Sequence, residues 1–216
     1  MDDSSQKNHL KAYGITFYSL LKGKKVQWLL NYRGGSFLLE DDEDLRNECV
    51  IRGVSYEQIS DSEALDILAF IGSPSQNMES VILEKAPKIA VYSPKDKQPW
   101  DDAVTMVLQY AEIPYDVVYD QEVLNEKLLL YEWLHLHHED FTGQYGKFYG
   151  AFRTAPWYIE NKMNAEKQAA GMGYPKVSQQ KLDVALKIRN FVLGGGFMFA
   201  MCSATDSFDI ALAAQG

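Results

Sequence analysis

Cys202 is the residue of this chain best suited to covalent chemistry. It stands in GGGFMFAMCSATDS, residues 194–207, where three glycines lead into an apolar run and a Ser/Thr/Asp cluster follows the cysteine. That order predicts strand, sharp turn, helix. Such a turn exposes its central side chain and aims the unpaired N–H groups of the next helix at whatever sits above it. A thiolate there could attack an amide or ester carbonyl, with the backbone N–H of Ser203 holding the oxyanion. Thr205 and Asp206, at the helix start, share the same mouth. The alternative for Cys202 is a small buried residue, because free cysteine packs well in cores.

A second group lies in YEWLHLHHED, residues 131–140. If the strand read there continues, Trp133, His135, His137 and Glu139 share one face. His135 and His137 could then chelate, but a zinc-type shell needs three or four ligands and nothing in the sequence is placed to complete one. The favoured reading is metal-free and cofactor-free: a strand whose polar end lines a ligand cleft. Arg33, followed by Gly34 and Gly35 at the end of an earlier strand, could hold an anion through its guanidinium and backbone N–H groups. A turn with a solvent-facing arginine is the favoured alternative.

These residues need elements to position them. Leu10, Tyr13, Phe17, Leu20 and Leu21 recur at helical steps up to Gly23, after Asp2 to Ser5, which read as a capping end. A buried strand spans 26–32, the acidic run at 40–44 reads as a solvated loop, and Cys49, Val50 and Ile51 suggest a short strand. Ser60 and Glu63 form a capping box for a helix bearing Ala64, Leu65, Ile67, Leu68 and Ile71. Residues 72–87 are the best linker candidate. A strand at 88–92, a loop at 94–99, a helix from about Asp101 with Val104, Val107, Leu108 and Ala111 on one face, and a strand at 115–119 make a βαβ unit. Ligands in such sheets bind beyond the C-terminal strand ends, where the 93–100 loop would lie. A short helix over 123–129, helices over 155–170 and 178–193, the latter buried through Leu182, Ala185, Leu186 and Val192, and the strand before Cys202, read as central, complete the pattern. Nine aromatics fall within residues 131–158, where they could pack a core or stack on a planar or sugar-like ligand.

The fold class expected is therefore α/β, a flavodoxin-like doubly wound parallel sheet in one domain over 1–216. The chain opens on a helix and stops just after the helix that follows Cys202, so the domain reads as truncated at both ends. A net charge of −9 argues against a nucleic-acid or anionic-membrane surface, and the partner expected is a small-molecule ligand or substrate. Apolar runs are too short to span a bilayer. Two cysteines without CxxC spacing argue against a zinc ribbon or a disulfide framework. No signal peptide is visible at Met1, which reads as cytoplasmic, or as exported if a leader precedes this chain.

The run FVLGGGFMFAMCSATD, from Phe191, resembles the helix-glycine-strand-turn segment of the class I glutamine amidotransferase-like superfamily, most closely its ThuA-like (trehalose-utilisation) branch. KAYGITFY, WLLNYRGGSF and WLHLHHEDFTGQYGKFY are similar to stretches of a bacterial group labelled asparagine synthetase B. The resemblance implies a flavodoxin-like sheet with Cys202 on the nucleophile position of a G-x-C-x-G elbow. Ala200 and Ala204 stand where that elbow has glycines, and the superfamily's downstream His-x-Glu would lie beyond Gly216. What is implied is Cys-dependent amide hydrolysis or, alternatively, a non-catalytic carbohydrate-related binding domain.

Overall fold

The computed structural model describes residues 6–94, 103–143 and 149–215. The 94–99 loop, apart from Pro94, the capping end at Asp2 to Ser5 and part of the aromatic stretch lie outside them. The chain, read from sequence as one domain, divides into two compact units: 1–86 with 103–114, and 87–102 with 115–216. Among the described residues no helix is long and apolar enough to cross a membrane.

The first unit opens with α1 (His9–Leu21), whose N-cap Asn8 accepts from the Lys11 N–H. It buries Ala12, Ile15, Phe17 and Leu20, a stripe that leaves Leu10, Tyr13 and Leu21 exposed. β1 (Val26–Leu30) is the middle strand of an antiparallel sheet, flanked by β2 (Ser36–Leu39) and β3 (Glu79–Leu83). β3 lies inside the 72–87 segment read as a linker, and the unit boundary falls at that segment's end. α2 (Glu43–Arg52) takes up the last two residues of the loop expected at 40–44 and replaces the strand expected at Cys49. Its caps explain the difference. Asp42 accepts from the Asp44 N–H, Glu43 and Asp44 sit favourably in the first turn, and Gly53 ends the helix at φ 67°. Leu45 and Cys49, one turn apart, are buried; Val50 and Ile51, the β-branched pair that suggested a strand, face solvent.

α3 (Asp61–Ile71) follows the capping box as expected, with Ser60 and Glu63 each bonding the other's backbone N–H. Only its Ile71 is fully buried. α4 (Ala103–Ala111) falls between two strands of the second unit in sequence, yet it packs on α1 of the first. Thr105, Leu108 and Ala111 are its buried residues.

The second unit is an α/β structure of flavodoxin-like arrangement. β4 (Ile89–Tyr92), β5 (Asp116–Val118), β6 (Trp133–Leu136) and β7 (Phe197–Ala200) form a wholly parallel sheet in the order β5-β4-β6-β7. The chain leaves β4 toward one side and returns on the other, so the strand order reverses between β4 and β6. β7, expected to be central, is an edge strand among the described residues. α5 (Asp120–Leu124) and a 3-10 turn at 127–130 follow β5; α6 (Tyr149–Phe152), α7 (Pro156–Gly171) and α8 (Val177–Leu193) separate β6 from β7; α9 (Ser203–Ala213) follows β7. One sheet face, through Ala90, Tyr92, Val118, Leu134 and Leu136, packs on α5, α8 and α9. α8 buries Val177, Gln180, Lys181, Val184, Ala185, Ile188 and Phe191; of the stripe expected through Leu182, Ala185, Leu186 and Val192 only Ala185 is among them.

Candidate functional site

β6 and β7 pair in parallel up to Leu136 and Ala200, so the residues after them emerge side by side at the C-terminal edge of the sheet. The two exits are joined by a series of hydrogen bonds. The Met201 N–H donates to the Leu136 carbonyl at 3.0 Å and the Ala204 N–H to that of His137 at 3.1 Å. Ser203 Oγ donates to the His138 carbonyl at 3.0 Å, and Ser207 Oγ to that of Glu139 at 2.8 Å. Four successive carbonyls of the β6 exit thus hold the start of α9. The turn between them is sharp. Cys202 is exposed and adopts φ 53°, ψ −138°, a region that costs a non-glycine residue about 1–3 kcal/mol and is held only where the surroundings impose it.

Within this frame the residues singled out from sequence separate. Thr205 and Asp206 are exposed on the first turn of α9, close in sequence to Cys202, and Thr205 Oγ1 donates to the Cys202 carbonyl at 2.6 Å. β6 ends at Leu136, and of the residues expected on one face the His135 and His137 rings remain neighbours while Glu139 turns away. His135 is fully buried and stacks on Phe199 of the neighbouring strand, 5.9 Å between ring centroids. The His137 ring lies 5.9 Å from that of His135 and 3.5 Å from that of His138. Glu139 is buried and turns back on its own loop, accepting from the His137 N–H at 3.2 Å. Among the described residues no three His, Cys, Asp or Glu side chains gather as metal ligands. Arg33 belongs to the first unit. It sits at φ 50° in a 3-10 turn and its guanidinium pairs with Glu57 at 3.0 Å.

No family model, no curated protein and no solved structure matches this chain.

Two further features stand out in this unit, and only the second, an aromatic group, is legible in the sequence. The first is a buried polar network where β4 and β5 end. Lys181 Nζ, from α8, lies 2.8 Å from Asp120 Oδ1, 3.0 Å from the Tyr92 hydroxyl and 3.3 Å from that of Tyr119. Tyr92 also donates to Asp120, and Gln180 Nε2 donates to its other oxygen at 3.1 Å. Burial, reinforced by the Asp120 charge, pushes the Tyr92 hydroxyl well up, and burial raises Tyr119. For Lys181 burial acts to lower the value, but Tyr119 and Asp120 outweigh it and hold the ammonium above its ordinary range. The network thus carries one buried cation beside one carboxylate, bridged by neutral hydroxyls. A lysine inside an apolar helical stripe was its only trace in the sequence.

The second feature is a group of rings on α6 and α7. Tyr149, Phe152 and Trp157 are all more than 40% exposed. Phe152 and Trp157 lie 5.3 Å apart, and Tyr149 and Trp157 both contact Tyr158 edge-on.

Proposed function

We propose that the second unit is a thiol-dependent amide hydrolase of the glutamine amidotransferase-like kind, in the group labelled asparagine synthetase B, acting on a small-molecule carboxamide. The observation that carries this is the Cys202 backbone: an exposed thiol held in a strained conformation between a parallel strand and a helix, as a nucleophile elbow requires. Cys202 Sγ attacks the carboxamide carbon, the amine leaves as it takes up a proton, and water then releases the acid from the thioester. The Ser203 N–H, at the first residue of α9, is the oxyanion donor of this reading. His137 and His138, whose backbone carbonyls accept from Ala204 and Ser203, are the proton acceptors of this reading.

Labelling with an electrophilic glutamine analogue tests it. The adduct is expected on the Cys202 peptide by mass spectrometry, and ammonia release from glutamine should be lost in Cys202→Ala. An unlabelled Cys202, or turnover unchanged in that variant, ends the proposal.

The exposed rings favour a second reading, a ThuA-like carbohydrate-related binding domain, since sugar faces stack on presented aromatics. A panel of mono- and disaccharides should then raise the melting temperature of the wild type and leave Trp157→Ala unmoved. A panel without effect on the wild type removes this reading.

A further inference from the structure

The first unit contains a cavity of about 900 Å³, open to solvent and bounded by β1, β2, the 54–60 segment and α3. Its volume is in the upper part of the range of small-molecule sites. One part of its lining is the sheet. Gln27 pairs with Leu38 on one side and Ile82 on the other, which sets the three in a row on one face. α3 contributes Ala64 and Ile67, but it covers this face poorly: Ile82, in the cavity lining, remains 58% exposed. Apolar surface is thus left uncovered inside a concavity, where an apolar body would displace water.

The charges of the lining decide what kind of molecule that body belongs to. Its three bases each already face a carboxylate: Lys25 pairs with Glu84, Arg33 with Glu57, and Arg46 with Asp41. Asp42 is held by Lys24. Glu40 and Asp61 are left among the described residues without an opposite charge. An anion entering here would find every guanidinium and ammonium engaged and two carboxylates repelling it; a cation would find the reverse.

We propose that this cavity binds an organic cation with an apolar body, the body over Leu38 and Ile82 and the charged head at the acidic lining supplied by Glu40 and Asp61. The site is separate from the reaction proposed for Cys202 and does not depend on it.

Calorimetric titration of the full chain at pH 7 with octylamine, octanol and octanoate, equal in chain length and different in charge, tests the proposal. Octylamine is expected to bind tightest and octanoate weakest, by about tenfold or more. Glu40→Gln and Asp61→Asn should each weaken octylamine by about threefold, the scale of an exposed ion pair, and leave octanol unchanged. Ala64→Trp, which fills the cavity, should abolish binding of all three. If that variant does not fold, Ile82→Trp, at an exposed position, makes the same test. Octanoate binding as tightly as octylamine, no heat with any of the three, or undiminished binding in the filled variants overturns the proposal.

Discussion

Lys181 and Asp120, 61 residues apart in sequence, form a buried ion pair at 2.8 Å, with side chains 7% and 2% exposed. The pair ties α8 to the start of α5. Removing one partner leaves the other charge buried and uncompensated, at a cost of about 3–5 kcal/mol. Lys181→Met and Asp120→Asn should each lower the urea midpoint accordingly, and the double variant should lose less than the two singles summed. Simple additivity would show that the two charges are not coupled. The pH dependence follows from the raised value of Lys181. A cation stabilised by folding contributes fully below its unfolded value near 10.5, and the contribution decays as pH rises through the folded value. The stability gap between wild type and Lys181→Met should therefore be constant through neutral pH and narrow in strong base.

The network also marks the limit of what the sequence discloses. Ser60 and Glu63 announce α3 because a capping box is local chemistry, and the run IAVY announces a buried parallel strand for the same reason. α2 is hard to read because Cys49, Val50 and Ile51 mimic a short strand, while the cap at Asp42 and the stop at Gly53 lie at its two ends. β3 was missed because ESVIL earns its place through long-range pairing with β1, which no local signal encodes. At the candidate site the turn at Cys202 was legible from its glycines and the following Ser/Thr/Asp cluster. The reversal of Glu139 onto the His137 amide and the gathering of Tyr92, Tyr119, Asp120 and Lys181 depend on where strands end in space.

Strain at Cys202 is measurable apart from any activity. Glycine adopts φ 53°, ψ −138° without the Cβ clash that cysteine suffers. Cys202→Gly should therefore raise stability by about 1 kcal/mol, while Cys202→Ala, which keeps the Cβ, should not. Equal stabilities for the two variants would mean that the turn relaxes in solution.

Tyr174 offers a titration that reads one contact. Partial burial and a 2.8 Å hydrogen bond to Asp183 push its hydroxyl from 10.0 up to about 12. The neutral phenol is the form that folding favours, so its contribution is whole below about 10 and disappears as pH climbs through 12. In an ultraviolet pH titration several tyrosines should ionise late in the wild type, Tyr92, Tyr119 and Tyr174 among them, and Asp183→Asn should bring one of these back toward 10. An unchanged set of late tyrosines in Asp183→Asn would assign the Tyr174 shift to burial alone.

Gly14 and Gly171 give a final test, of how closely α1 and α4 approach. In a solvent-facing helix, glycine to alanine stabilises by up to about 1 kcal/mol through backbone entropy. Gly171, on α7, has open space where a Cβ would go, and Gly171→Ala should show that gain. At Gly14 the same Cβ would stand 1.9 Å from the Ala111 carbonyl oxygen of α4, far inside contact distance and against backbone that has little freedom to yield. Overpacking of this kind costs about 1–3 kcal/mol, and the entropy gain offsets only part of it. Gly14→Ala should therefore destabilise where Gly171→Ala stabilises. Chemical denaturation of the two variants side by side decides it: the same sign for both would mean that α1 does not pack on α4 at Gly14.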